Sequence, residues 1–180
     1  ELLKDFNIQK YLDKKPPSDN SFTTKQEIKA LAKTPMNKNF IKEKDDMVKV
    51  FNKITGDGKV AQELINQTSP VILKIKKHHN RPRPKVLAKK LNIKMDDVEL
   101  KSMNTPAYPS GHSAQGYLIG MMLSDKYPKK KKQLMQAARD ISYSRNMARG
   151  HYKSDSKFGE QIGKDMYKHI KNKIWDQEIL

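Results

Sequence analysis

The chain has 180 residues, no cysteine and a formal net charge of +17, from 37 lysines and arginines against 20 aspartates and glutamates. This length suits one domain, residues 1–180, and the lack of cysteine excludes disulfides, a thiolate nucleophile and Cys-based zinc sites. The longest apolar run, Tyr117–Leu123, is too short to cross a bilayer, so we expect a soluble protein with no transmembrane segment.

The first third of the chain shows apolar residues at helical spacing. A short helix around residues 6–12 should end before Pro16, and a capping-box pattern at Thr24 and Glu27 predicts the start of a second helix. A third helix is predicted over residues 39–54, and the TGDG sequence that follows should stop it. Two helical pieces should come next, separated or kinked at Pro70.

The remainder of the chain also alternates helices with short breaks. The NRPRP segment at 80–84 must be extended, because proline lacks an N–H and restricts the residue before it. A small helix near 86–91 and a polar stretch to Pro109 should follow, and then helices over residues 110–126, 131–149 and 155–175. Strand alternation is scarce, so we predict an all-α, single-domain helical bundle.

The stretch SRNMARGHYKSD at 144–155 places His151 four residues before Asp155. Such a pair is common on a solvated helix face, and that reading stays open for the stretch alone. Arg145, however, falls four residues after Ile141 on the apolar stripe of its helix, so its guanidinium should point inward. A buried arginine needs an anionic partner, and only Asp140 and Asp155 lie at a good offset, which leaves a bound ligand as a candidate anion.

A second cluster, YPSGHSAQGY at 108–117, marks the start of a helix. Ser110 is a good N-cap, Gly111 lets a ligand approach the backbone, and His112 stands in the first turn. The free N–H groups of a helix start form a ready anion site. An ordinary capped helix with an incidental histidine is the alternative interpretation.

The third cluster is KKHHNRPRP at 76–84, in which Lys76 and Arg83 are separated by six residues. Lysine supplies a point charge and arginine a planar fork of donors, a useful pair for phosphate oxygens. A basic loop that only contacts water would look the same.

Taken in order, Lys-x6-Arg-Pro, Pro-Ser-Gly-His and Ser-Arg-x5-His-x3-Asp resemble the full signature of the type 2 phosphatidic acid phosphatase (PAP2) superfamily. The resemblance spans residues 76–155, and no signature position departs from the pattern. The segment PPSDNS at 16–21 is also similar to the proline-rich N-terminal segment of the soluble class A bacterial acid phosphatases.

The resemblance implies a metal-independent, acid phosphatase-like phosphohydrolase on an all-helical bundle of the acid phosphatase–haloperoxidase type. It implies His151 as the nucleophile that forms a phosphohistidine, Asp155 as the group that orients and charge-balances it, and His112 as the general acid. The phosphoryl oxygens would be held by Lys76, Arg83, Ser110, Gly111 and Arg145. No cofactor or metal is implied, and the adjacent pair His78 and His79 lacks metal-ligand spacing.

Two alternatives remain at this stage. Vanadium-dependent haloperoxidases share the signature, with vanadate at the phosphate position, but they are generally far longer. A basic nucleic-acid-binding protein would suit the net charge, yet the sequence contains no known binding motif and no aromatic platform. The run Lys129–Lys132 predicts a solvated turn between helices rather than such a motif.

The charge of the helices argues against the membrane-embedded lipid phosphatases of the superfamily, so we expect a small phosphomonoester as substrate. The resemblance suggests an exported or periplasmic protein, and the lysine-rich composition leaves an intracellular or viral origin open. The chain begins at Glu1 without a methionine, which predicts a processed or shortened form. The sequence leaves open whether the chain forms a homo-oligomer.

Overall fold

The computed structural model describes residues 1–177, without the side chains of residues 172 and 174–177. Within that range the chain forms helices and no strand, which confirms the predicted all-α class. The α-helices are α1 (Gln9–Asp13), α2 (Phe22–Lys33), α3 (Lys38–Asp45), α4 (Met47–Thr55), α5 (Gly58–His79), α6 (Pro84–Lys90), α7 (Gly111–Lys126), α8 (Lys131–Met147) and α9 (Lys153–Gln177). Short 3₁₀ helices cover Lys101–Asn104 and Pro128–Lys130.

The N-terminus of α2 differs from its prediction. Ser21, not Thr24, is the N-cap, because its Oγ accepts a hydrogen bond from the Thr24 amide at 3.1 Å. The predicted capping-box partner Glu27 turns away from the helix end and accepts hydrogen bonds from Ser154 instead. The predicted start was therefore wrong by three residues, and Glu27 ties α2 to the beginning of α9.

The predicted helix over residues 39–54 is two helices. The chain leaves the helical conformation at Asp46, whose side chain caps α4 by accepting from the Lys49 amide at 3.1 Å. This break makes Asp45 the last residue of α3. As predicted, the TGDG sequence stops α4, with Gly56 in the left-handed conformation at φ 74°.

Helix α5 runs without interruption through Pro70, so of the two predicted alternatives, separation or a kink at Pro70, separation was wrong. Proline cannot donate to the carbonyl four residues earlier. Neighbouring hydroxyls satisfy other carbonyls of this stretch, since Thr68 donates to Leu64 and Ser69 to Ile65, both at 2.7 Å. The intact helix carries Lys76 to its last turn, and Asn80 ends it in the left-handed conformation.

Helix α7 is the buried centre of the fold, packed between α8 and α9. Close approach of α9 depends on two glycines, because a Cβ on Gly159 would collide with the Ser110 carbonyl oxygen and one on Gly163 with the Ala114 carbonyl oxygen. This contact fixes the first turn of α7 against the second and third turns of α9. The predicted positions of both helix starts were correct to within two residues.

Helix α8 ends at Met147, two residues earlier than predicted, because Arg149 adopts a left-handed conformation with φ 59°. The Arg149 guanidinium caps the C-terminus of α2, donating to Leu31 O at 3.0 Å and Thr34 O at 2.9 Å. The turn that follows places His151 beyond the C-terminus of α8. The lysines at 129–132 are exposed, as predicted, but only Lys129 and Lys130 lie in the turn before α8, and Lys131 and Lys132 begin that helix. Among the described helices, none combines the length and apolarity that a membrane span requires.

Candidate active site

The three clusters meet where the end of α5, the start of α7 and the α8–α9 turn come together. The Ser110 amide donates to the Asp155 carbonyl at 3.1 Å, and Arg83 contacts His151 at 2.9 Å. All eight residues of the predicted site lie in this region, connected directly or through shared partners.

His151 is held in one tautomer by its two neighbours. Arg83 Nη1 can only donate, so His151 Nε2, 2.9 Å away, is the acceptor and carries no proton. The proton is on Nδ1, which donates to Asp155 Oδ2 at 3.1 Å. Burial, with the cations Arg83 and Lys76, holds the pKa of His151 well below its usual range. A neutral imidazole therefore presents an unprotonated Nε2 to Arg83, from which it accepts a hydrogen bond.

Asp155 is fully buried and has a partner that the sequence analysis missed. Arg81 Nη1 donates to Asp155 Oδ1 at 2.7 Å, while the Tyr152 amide donates to Oδ2 at 3.0 Å. The Arg81 guanidinium lies 3.7 Å from the centre of the Tyr152 ring. Burial raises the pKa of the Asp155 carboxyl group, and the positive charge and the hydrogen bond of Arg81 oppose that increase. Arg81 stands two residues before Arg83 in NRPRP, so the sequence contained it but gave no sign that it was buried.

Arg145 is only 2% exposed, as its place on the apolar stripe predicted. Its acidic partner is neither Asp140 nor Asp155 but Asp45, whose Oδ1 accepts from Arg145 Nη1 at 2.9 Å. Sequence offsets could not identify this partner, because Asp45 is 100 residues away in sequence, at the break between α3 and α4. Within the described residues, Arg145 Nε and Nη2 are buried without a hydrogen-bond partner.

His112 lies beside the same ion pair. Its Nε2 donates to the Asp45 carbonyl oxygen at 2.9 Å and is 3.5 Å from Asp45 Oδ1. Burial lowers the pKa of His112, and the charge of Arg145 lowers it as well. The hydrogen bond to Asp45 raises the pKa, but the net shift is a decrease. The proton that a general acid would donate is thus on Nε2 of His112, which faces Asp45.

Lys76 and Arg83 are bound to oxygens of one short segment, residues 102–106. Lys76 Nζ donates to Pro106 O at 2.9 Å and to Thr105 Oγ1 at 3.3 Å. Arg83 donates to Thr105 O and to Ser102 O, both at 2.7 Å. Burial and the neighbouring Arg83 charge lower the pKa of Lys76 to about 7. These cations are held close together in a site that is short of negative charge, as anion binding requires.

Ser110 and Gly111 occupy the predicted helix start. Ser110 Oγ accepts from the Ser113 amide at 3.2 Å, which confirms the N-cap and leaves the hydroxyl proton available to donate. A Cβ placed on Gly111 would lie 3.8 Å from Lys76 Cε, so this backbone faces the lysine directly. Among the described residues, His, Asp and Glu side chains form no group of three that could hold a metal ion.

No protein-family model matches the chain. Over 88 residues it is 32% identical to the non-specific acid phosphatase of Salmonella typhimurium (strain LT2), and 31% identical to that of Salmonella typhi. Each match covers 49% of this chain and 35% of the relative, so the chain spans about a third of the length of these curated relatives. The similarity supports a phosphatase.

Proposed function

We propose that the protein is an acid phosphatase-like phosphomonoesterase that works through a phosphohistidine on His151. The observation that carries the proposal is the tautomer of His151, because an Nδ1 proton donated to buried Asp155 leaves Nε2 unprotonated, and Nε2 can attack once substrate replaces it as a partner of Arg83. The similarity to acid phosphatases supports the same reaction class and favours neither a haloperoxidase nor a nucleic-acid-binding protein.

In the first step, substrate phosphate oxygens replace the protein oxygens on Lys76 and Arg83 and bind the free edge of Arg145. His151 Nε2 then attacks phosphorus as the bond to the leaving oxygen breaks. His112 gives its Nε2 proton to that oxygen, and an alcohol departs. Asp155 stabilises the cation on His151, as a carboxylate on the second nitrogen does.

In the second step, water attacks the phosphohistidine. His112, now neutral, accepts a proton from the water as the N–P bond breaks, and inorganic phosphate is released. Burial lowers the pKa of both histidines; the Arg83 and Lys76 charges lower that of His151 further, whereas the Asp45 hydrogen bond opposes the decrease for His112. These neighbours favour a neutral His151 and a protonated His112, the combination that the first step needs.

The test is a labelling experiment with a phosphomonoester that carries a labelled phosphoryl group, run in EDTA and quenched with alkaline denaturant, because a phosphohistidine is stable to alkali and labile to acid. We expect wild-type protein to retain a label that His151→Ala lacks, with turnover abolished in the variant. His78→Ala is the matched control, because His78 is exposed and outside the site. A label or turnover that persists in His151→Ala would contradict the proposal.

A further inference from the structure

Asp45 contacts two residues of the proposed machinery at once. Its carboxylate accepts from Arg145 Nη1 at 2.9 Å, and its carbonyl accepts from His112 Nε2 at 2.9 Å, with Oδ1 a further 3.5 Å from that nitrogen. The Asp45 side chain is 41% exposed, whereas that of Arg145 is 2% exposed. Asp45 is thus partly exposed and contacts both the cation and the acid.

The contact to Arg145 leaves one edge of the guanidinium for a ligand. Asp45 takes Nη1, while Nε and Nη2 are buried and have no partner among the described residues. That edge has the two parallel N–H groups that bind phosphate oxygens in pairs. An arginine anchored at Nη1 presents this edge in a fixed direction, so the entropy of ordering the guanidinium is lost before substrate arrives.

The contact between Asp45 and His112 affects the protonation state of the imidazole. A carboxylate next to an imidazole favours its charged form, whereas burial and the Arg145 charge oppose it. The charged groups that face His112 are Asp45 from α3, Arg145 from α8 and the histidine that follows α8, His151. Of these three groups, Asp45 is the acid, and it is therefore the one that favours the protonated form of His112.

We propose that Asp45 is a positioning residue for this reaction, anchoring Arg145 for the phosphate and keeping the leaving-group proton on His112. The proposal deepens the proposed function and rests on it for the roles of Arg145 and His112. It assigns a place in the site to a residue of the α3–α4 break, far in sequence from the three clusters.

The test compares Asp45→Asn and Asp45→Ala with Asp46→Asn. The amide of Asp45→Asn keeps an oxygen that can anchor Arg145 but has no charge, and Asp45→Ala loses both. Asp46→Asn is the matched control, because Asp46 is the exposed next residue and asparagine can still cap α4. Circular dichroism and thermal unfolding establish that each variant is folded.

Two measurements need no turnover. The first is the NMR titration of the His112 imidazole, assigned with His112→Gln. We expect its midpoint to move to lower pH in both Asp45 variants and to stay at the wild-type value in Asp46→Asn. The second is binding of inorganic phosphate, which should be about five- to tenfold weaker in Asp45→Ala than in Asp45→Asn, because both variants lose the carboxylate charge that repels phosphate and only Asp45→Asn keeps an oxygen that anchors Arg145.

In active protein, the alkaline limb of kcat/KM should move to lower pH together with the His112 midpoint. An unchanged midpoint in both Asp45 variants would overturn the proposal, as would equal phosphate affinity in Asp45→Ala and Asp45→Asn. Wild-type protein that hydrolyses no phosphomonoester would instead refute the proposed function, and the titration and phosphate binding would still decide the role of Asp45.

Discussion

Replacement of Arg81 by methionine should destabilise the protein strongly, although Arg81 is outside the predicted signature. Arg81 and Asp155 are both fully buried, and their closest atoms are 2.7 Å apart. Removing one member of a buried pair leaves an uncompensated charge, which costs about 3–5 kcal/mol. For a domain of this size, that corresponds to a decrease of about 6–20 °C in Tm.

The sign of the pH dependence follows from Asp155. Without Arg81, the folded-state pKa of Asp155 rises further above its unfolded value, so the folded state binds a proton that the unfolded state releases. The free energy of unfolding of Arg81→Met therefore decreases as the pH rises from the unfolded-state pKa of Asp155 to its folded-state pKa. We expect the loss relative to wild type to be smaller at about pH 5 than at about pH 8.

A double-mutant cycle with Asp155→Asn isolates the pair, and thermal and urea unfolding give the free energies. Arg81→Met should cost less in the Asp155→Asn background than in wild type, by about 2 kcal/mol, because the buried charge is then absent. Arg139→Met is the control, since Arg139 is exposed on α8 and its loss should change stability by less than about 0.5 kcal/mol. Additive effects in the cycle would refute this reasoning.

The remaining predictions concern chemistry. His112→Ala should slow hydrolysis of alkyl phosphates by about 10²–10⁴-fold and that of p-nitrophenyl phosphate far less, because p-nitrophenolate departs without a proton; equal losses would exclude a general acid. Vanadate should inhibit competitively, since its trigonal-bipyramidal form on His151 imitates the transition state, and activity should survive EDTA; restoration of lost activity by a divalent ion would count against the mechanism. The value of kcat/KM should begin to decrease at a pH below 6.5, the ordinary histidine pKa, because His112 must be protonated and its pKa is lowered. A value of kcat/KM that still increases up to neutral pH would contradict this assignment.

Local patterns were enough to predict most of the helices. Periodicity and caps gave the starts of α7 and α9, and glycine punctuation gave the end of α4. Two of the errors arose where one local signal competes with another. A side-chain cap at Asp46 divided the third predicted helix, and α5 stays continuous through Pro70, although proline favours a break.

The site could be predicted only as far as its residues cluster in sequence. The structure brings the residues of all three motifs together, yet it also adds Arg81 and Asp45, which are charged residues among many in a lysine-rich chain. Neither has a helical offset that identifies its partner, because Asp155 is 74 residues from Arg81 and Arg145 is 100 residues from Asp45. Long-range pairing of this kind depends on the packing of helices, which periodicity does not specify.

The oxygens of residues 102–106 have a consequence for the product as well as for the substrate. Lys76 and Arg83 are already solvated by the chain itself, so any phosphate must exchange with Ser102, Thr105 and Pro106 oxygens. Such exchange reduces the apparent affinity of every phosphate species by the fraction of molecules in which the segment has withdrawn. We expect inorganic phosphate to leave quickly and to inhibit weakly, because the segment returns to the cations as the product departs.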